Sequence, residues 1–461
     1  MAIVSLYQNV RGIPDTLEIG EAVYAGGEGR IFFSKDGLYA VKIYHPNRVG
    51  LDKRQFLEMI TMLGSSLTQE EAQFLCWPLA MVHSVDRIPQ IGCVTRLIPV
   101  SYKPLCNFIA SPKMARDQFL ARRSWSHYLQ IARGIARAVA VLHGRGCAHT
   151  DLSYFNFLVN PDTTDVVLLD LDGLVVPGFL PAQVKGTMGI IAREIMLGQG
   201  RPSELSDRHS LAVQILQTIL FRNVFKSLIT YDPNDPDRDE EIGWGEELTF
   251  SEDPNDRRNR PRLLGVPLFE GGALSYRMLT PTLQRLTERA CIEGLNNPTK
   301  RPSAREWITT LSYALDELYR CSRCRQHFPY PYWLKPVQRR VCPFCGQRVS
   351  GNLPSVLSLY EPRSRGKYIF TQRYLVMGNN WQLFSDILDP QRDPPMSRRK
   401  EPSVGHVELD GKNNINRLIN DEGITWRVQL KGESIVTAGK GDSIPLKPGS
   451  IINFGEGRRL L

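Results

Sequence analysis

The chain has 461 residues, 42% of them hydrophobic and 23% charged, which is ordinary for globular domains and long enough for two or three of them. No run of about eighteen apolar residues and no basic start followed by an apolar block occurs, so neither a membrane span nor a secretory leader is expected and a cytoplasmic location is. The formal net charge of +9 is uneven, because residues 319–461 hold 23 Lys+Arg against 12 Asp+Glu while residues 1–318 are close to neutral; a basic end suits an acidic partner, nucleic acid or a membrane surface, and also an ordinary solvated face.

Residues 14–44 alternate as short strands do, with Ala25-Gly26-Gly27-Glu28-Gly29-Arg30-Ile31 as a turn and Tyr39 to Tyr44 as the strand that follows. Gly26, Gly27 and Gly29 let the backbone approach phosphates and offer N–H groups to them, and Lys42 reaches the same place; alone, such a turn is equally a plain hairpin. Residues 52–63 have helical spacing with Phe56, Met59, Ile60 and Leu63 on one face. Strands near Trp77–Val85 and Ile91–Leu97, a linker near Ile98–Pro104 and a long amphipathic helix over Trp125–His143 come next.

The window from His149 to Gly173 organises the rest. Asp151 precedes Asn156 by five residues, and a turn then leads into the apolar strand Val166–Leu169, which ends on Asp170. A hard divalent cation such as Mg²⁺ asks for a few oxygens and leaves its other positions to water and phosphate, which Asn156 and Asp170 satisfy. Asp151 is then free to accept a hydroxyl proton. Asp and Asn between strands also serve as plain turn residues.

Together these blocks resemble the eukaryotic-like protein kinase family, with its His-Arg-Asp, the Asn five residues on, and its Asp-Phe-Gly. The resemblance runs in order over roughly residues 15–316. It takes in Ala192-Arg193-Glu194, similar to the family's Ala-Pro-Glu, Asp207 at the start of an apolar helix, and the block Arg301-Pro302-Ser303-Ala304-Arg305-Glu306-Trp307. It implies an α+β, bilobal kinase-like fold over 1–316, with an N-lobe of about 1–98 and a C-lobe of about 99–316. ATP would lie between the lobes, Gly26, Gly27 and Gly29 covering its phosphates and Lys42 pairing with the phosphates and with Glu58. Asn156 and Asp170 would hold Mg²⁺, with Asp172 the alternative ligand, and Asp151 would orient the hydroxyl of a Ser or Thr in a protein substrate. Asp207 would accept backbone N–H bonds from the catalytic loop, although an acid there also fits a helix cap, and Arg301 would pair with Glu194. Departures are Tyr24 for the first glycine, Thr150 for Arg, Ser153 for a Lys, Asp172 for the Gly of Asp-Phe-Gly, and Arg193 for Pro; they keep a nucleotide-binding pseudokinase scaffold open as the alternative. Between these motifs, Asp235, Asp237, Asp239 and Glu246 mimic calcium-loop spacing, but Glu240 stands where Gly is required, so a solvated loop is expected over 231–260.

Cys321-x₂-Cys324-x₁₇-Cys342-x₂-Cys345 has the spacing of a four-thiolate zinc ribbon, expected over 317–350 as a structural Zn²⁺ site. Arg323, Arg325, Arg339, Arg340 and Arg348 would suit a zinc-ribbon nucleic-acid-binding protein, a third reading. Residues 351–461 read as short strands of a small all-β sandwich, including Lys367–Met377, Thr425–Leu430 and Ser450–Phe454. The stretch Leu446–Gly455 resembles the closing strands of a forkhead-associated domain, and Ser403-Val404-Gly405-His406 has that family's Ser-x-x-His spacing without its Asn-Gly-Thr turn, which implies a degenerate interaction domain. Kinase, ribbon and β domain in this order are similar to bacterial kinases of stress-associated gene clusters, which implies a metal-dependent phosphatase and a von Willebrand A-type protein as partners.

Overall fold

The computed structural model describes residues 2–7, 12–49, 51–109, 114, 117, 124–176, 186–226, 228–260, 274–335, 340–351, 353–364, 367–395 and 401–461. Two compact units emerge, one of residues 1–118, 131–261 and 288–307, the other of 119–130, 262–287 and 308–461. The boundaries read from the sequence at 316 and 350 thus fall inside the second unit. Helices and strands mix along the chain, an α+β arrangement.

In the first unit, β1 (Ala2–Leu6), β2 (Thr16–Ala25), β3 (Gly29–Ser34), β4 (Tyr39–Tyr44), β5 (Ala80–Val85) and β6 (Ile88–Arg96) form a closed antiparallel barrel in the order β1-β2-β3-β4-β6-β5. Strand β1, unforeseen in the sequence, closes it by pairing with both β2 and β5. Alternate residues point inward, and Val4, Leu17, Ile19, Val41, Val82 and Val94 make the core. Helix α1 (Leu51–Gly64) follows β4 and buries Leu57 in a cluster with Tyr44, Met81 and Cys93. Its end is held by Trp77, whose indole Nε1 donates to the Ile60 carbonyl at 2.6 Å.

A small sheet of β7 (Lys103–Pro104), β8 (Phe157–Val159) and β9 (Val166–Leu168) carries the loops on either side of Asn156 and Asp170. Helix α2 (Trp125–Gly144) leads into this region, and α3 (Glu204–Leu220) is buried along nearly its whole length from Ser206 onward. In the 231–260 segment the acids satisfy backbone. Asp235 caps the short helix Pro236–Glu241 by accepting from the Asp237 and Arg238 N–H groups, and Asp239 accepts from that of Asp232 at 3.0 Å.

In the second unit, β10 (Leu318–Arg320) and β11 (His327–Pro329) form a hairpin around the first cysteine pair. Beyond it, β12 (Ser355–Pro362) pairs with β13 (Tyr368–Met377). One sheet is made of β14 (Gln382–Phe384), β15 (Ser403–Asp410), β16 (Ile415–Asn420) and β19 (Ser443–Pro445), and another of β17 (Trp426–Gln429), β18 (Ile435–Ala438) and β20 (Ile451–Asn453). One apolar cluster, with Leu359, Leu375, Leu383, Val407, Trp426 and Phe454, runs through all of them. A helical turn at Ser385–Leu388 interrupts the strands. The buried Arg373 guanidinium pairs with Asp316, Nε donating at 2.9 Å.

Candidate active site

The β2–β3 turn folds over a cavity of about 500 Å³ lined by Gly26, Gly27, Gly29, Ile31, Ala40, Lys42, Leu97, Leu158, Asn156 and Asp170 among others. Gly29 has to be glycine, because a Cβ there would collide with the Ile43 carbonyl oxygen of the neighbouring strand. The turn is tied by the Gly26 N–H to the Gly29 carbonyl at 2.9 Å, and His45 Nε2 lies 3.1 Å from the Gly26 carbonyl. The walls are apolar and the floor carries charge, the usual pattern of a small-molecule site.

Lys42 projects from β4 into that floor. Its Nζ lies 2.8 Å from Asp172 Oδ2, 3.0 Å from Asp170 Oδ1 and 2.9 Å from Glu28 Oε2. Burial alone would lower its pKa, but Asp172, Asp170 and Glu28 together hold it well above the usual lysine value. Burial pushes Asp170 up and Lys42 pulls it further down, so its carboxyl stays below the ordinary range. Tyr44, two residues on and therefore on the same face of β4, donates its hydroxyl to Asp172 Oδ2.

The pairing expected between Glu58 and Lys42 is not made. Glu58 is 51% exposed on the outer face of α1, 3.3 Å from Arg54 Nε. The inner face instead presents Lys53, whose Nζ donates to the Asp172 carbonyl at 2.7 Å and lies over the Tyr44 ring. Burial and the neighbouring Lys42 charge lower the pKa of Lys53. Glu28, Lys53, Tyr44 and the Asp172–Lys42 pair were all missed in the sequence, although the two-residue spacing of Lys42 and Tyr44 carried a signal for one of them.

Below the cavity, Asp207 reaches from the first turn of α3 and accepts the His149 N–H at 2.7 Å and the Thr150 N–H at 3.1 Å. His143 Nε2 adds a third contact at 3.2 Å. Asp207 therefore holds the loop rather than only capping its own helix. Thr150 and Asp170 both have positive φ, 70° and 58°, a costly conformation for residues with a Cβ that persists where surrounding contacts impose it. Asp151 is braced on two sides: Thr187 Oγ1 donates to Oδ1 at 2.7 Å and Asn156 Nδ2 donates to Oδ2 at 3.1 Å. Asn156 Nδ2 is also 2.9 Å from the Asp151 carbonyl, so the two residues are fixed to each other. Ser153 is buried and its hydroxyl meets no partner among the described residues. Farther down, Arg301 grips Glu194 with both terminal nitrogens, at 2.7 and 2.8 Å. Although burial raises the Glu194 carboxyl, Arg301 brings it below its ordinary value.

In the second unit the sulfurs of Cys321, Cys324, Cys342 and Cys345 all lie within 4.8 Å of one another, and the Cys321–Cys345 and Cys324–Cys342 pairs are 3.6 Å apart. The two knuckles repeat each other, with the Cys321 N–H donating to the Gln326 carbonyl and the Cys342 N–H to that of Gln347, both at 2.8 Å. This cluster has the donor set and spacing to hold a metal ion. Of the ribbon arginines, Arg340 is spent internally on the Tyr330 hydroxyl and the Tyr332 carbonyl, while Arg339 lies outside the described residues. His406 Nδ1 is held 2.9 Å from Asp421, and the Ser403 hydroxyl donates to the same carboxylate at 3.3 Å.

Among the described residues no helix is long and apolar enough to cross a membrane. No protein-family model matches the chain. It is similar to the protein kinase YegI of Escherichia coli O157:H7, at 24% identity over 345 residues, which is 71% of this chain and 48% of that protein. The chain thus spans about half the length of this curated relative, and the likeness, with the α+β arrangement around the cavity, makes it a relative of a protein kinase.

Proposed function

We propose that the chain is an ATP- and Mg²⁺-dependent protein kinase that phosphorylates Ser or Thr hydroxyls. The observation that carries this reading is the convergence of Lys42, Asn156 and Asp170 on one cavity floor beneath a glycine turn, with Asp151 hydrogen-bonded to Asn156 and its loop anchored on Asp207. The glycine turn would cover the phosphates and Lys42 would neutralise them. Asn156 and Asp170 fit a divalent ion, since both line the cavity and offer oxygens; Glu28 and Asp172 also line it, with carboxylate oxygens within 4.8 Å of that of Asp170, and Lys42 meets all three acids. When bound, Mg²⁺ would screen the phosphate oxygens and the charge that builds up in transfer. Asp151, held by Thr187 and Asn156, would orient the substrate hydroxyl and take its proton; most of the acceleration would come from positioning and charge neutralisation.

Four thiolates in two matching knuckles fit Zn²⁺. A tetrahedron with Zn–S bonds of about 2.3 Å has edges of about 3.8 Å, close to the 3.6 Å separations of the paired sulfurs. With all four positions supplied by protein, the ion would be structural. We read the C-terminal β region as a degenerate forkhead-associated-like interaction domain, because Asp421 places a carboxylate against His406 and Ser403 where a phosphate would have to sit.

One observation favours the scaffold reading: burial of Ser153 leaves no cation at that point of the loop to meet the transferred phosphoryl. Transfer from labelled ATP to the protein itself and to a generic protein substrate decides between them. The kinase reading expects transfer that needs a divalent metal and that falls by about 10²–10⁴-fold in Asp151→Ala while nucleotide still binds. Nucleotide binding without transfer under any divalent metal would favour the scaffold.

A further inference from the structure

Lys42 needs an acid to hold its amine toward the phosphates, and α1 has none on the correct side. The acids of that helix, Asp52 and Glu58, are both exposed, and the inward positions carry Lys53, Leu57 and Ile60. The acid nearest to Lys42 comes from the other side of the cavity. Asp172 is 5% exposed, and its Oδ2 meets both Lys42 Nζ and the Tyr44 hydroxyl while its carbonyl receives Lys53 Nζ.

We propose that Asp172 is the positioning residue for Lys42, fixing the amine from the metal-loop side through its carboxylate, with Tyr44 and Lys53 fixing Asp172 in turn. This rests on the kinase reading and deepens it. Asp170 meets Lys42 with Oδ1 at 3.0 Å but keeps half its side chain open for a metal, whereas Asp172 is almost closed off. Both carboxylates, two residues apart, meet the lysine; the open one also serves the ion, and the closed one is committed to the lysine. Glu28 is a poor substitute, since it sits on the glycine turn and is itself more than half exposed. The assignment has a mechanical consequence: the lysine is set by a buried contact at the base of the cavity and does not wait for an acid on α1 to swing inward.

The test is a double-mutant cycle in the full chain, using Asp172→Asn, Lys42→Met and the combination, with kcat, KM for ATP and the Mg²⁺ concentration for half-maximal rate measured for each. Asn keeps the shape and a polar group for Tyr44, and a melting curve checks that each variant is folded. The expected result is a tenfold or greater loss of kcat for Asp172→Asn with the Mg²⁺ requirement unchanged within twofold. In the Lys42→Met background the same change should cost less than twofold, because the residue it acts through is gone. An equal loss in both backgrounds would overturn the proposal, as would a rise in the Mg²⁺ requirement, which would make Asp172 a metal ligand. Wild-type turnover separates the two levels. Transfer in the wild type without coupling sinks only the role of Asp172, while no transfer in the wild type sinks the kinase reading and this inference with it.

Discussion

At the scale of single residues, charge placed in low dielectric decides most of what this chain does. Lys42 stays charged because three carboxylates surround it; Glu317 shows the opposite case. It is buried beside the ribbon, where among the described residues its carboxylate meets the Tyr332 hydroxyl at 3.0 Å. Burial raises its pKa from 4.5 to about 8. Between those values the folded chain keeps a proton that the unfolded chain has lost, so this group's stabilising contribution is full below about 4.5 and declines as pH rises through about 8. Urea unfolding at pH 6 and pH 8.5 should show the wild type losing more stability over that interval than Glu317→Gln does. Equal losses in the two proteins would contradict the assignment. The same attention to individual residues shows what could be read in advance. The hold of Asp207 on the loop and the Glu194–Arg301 pair are what the kinase resemblance implied, and Asn156 and Asp170, singled out by their spacing, both line the cavity. Glu58 was misplaced, although the helix itself gave the warning: two residues from Phe56 and from Ile60 is about 200° around a helix, on the far side from the apolar face. Asp172 was read as a departure or as a metal ligand, since its real neighbours, Tyr44 and Lys53, are more than a hundred residues away in the chain.

At the scale of elements, strands are set by close backbone approach as much as by side chains. Gly29→Ala should force β3 away from β4, because the new methyl meets the Ile43 carbonyl oxygen; overpacking of this kind costs about 1–3 kcal/mol. A lowered melting temperature together with weakened nucleotide binding would be the outcome, and an unchanged melting temperature would show that the two strands have slack. Helices and strands were mostly legible from periodicity, the long helix ending at Gly144 rather than His143 and β13, β17 and β20 losing a residue or so at their ends. Strand β5 starts at Ala80 rather than Trp77, β6 at Ile88 rather than Ile91, a short helix stands at Pro236–Glu241 within the expected loop, and β1 was not read at all. Its five residues, Ala2 to Leu6, include the β-branched Ile3 and Val4 but form too short a run to declare a strand alone, and their partners come from β2 and β5.

At the scale of the whole molecule, both units have an apolar core and a buried ion pair, and the second adds the cysteine cluster of the ribbon. The ribbon in the second has few buried apolar side chains, so the bound ion should supply part of its folding energy. Native mass spectrometry should find one Zn²⁺ per chain, and a strong chelator should lower the melting temperature of the wild type but leave a Cys321→Ser/Cys342→Ser variant unchanged. Retention of full thermal stability after complete metal removal would count against a structural role.

The pairing of Val4 with Val85 also matters for synthesis. A ribosome adding roughly 5–20 residues per second presents β1 several seconds before its second partner exists. During that interval the strand has one satisfied edge at most, and its apolar face is open to any passing chain. Assembly of the barrel is then limited by the delivery of β5 and of β6, which joins it to β4, and synonymous codons that slow translation between β1 and these strands should lengthen the exposure and increase aggregation without changing a single amino acid.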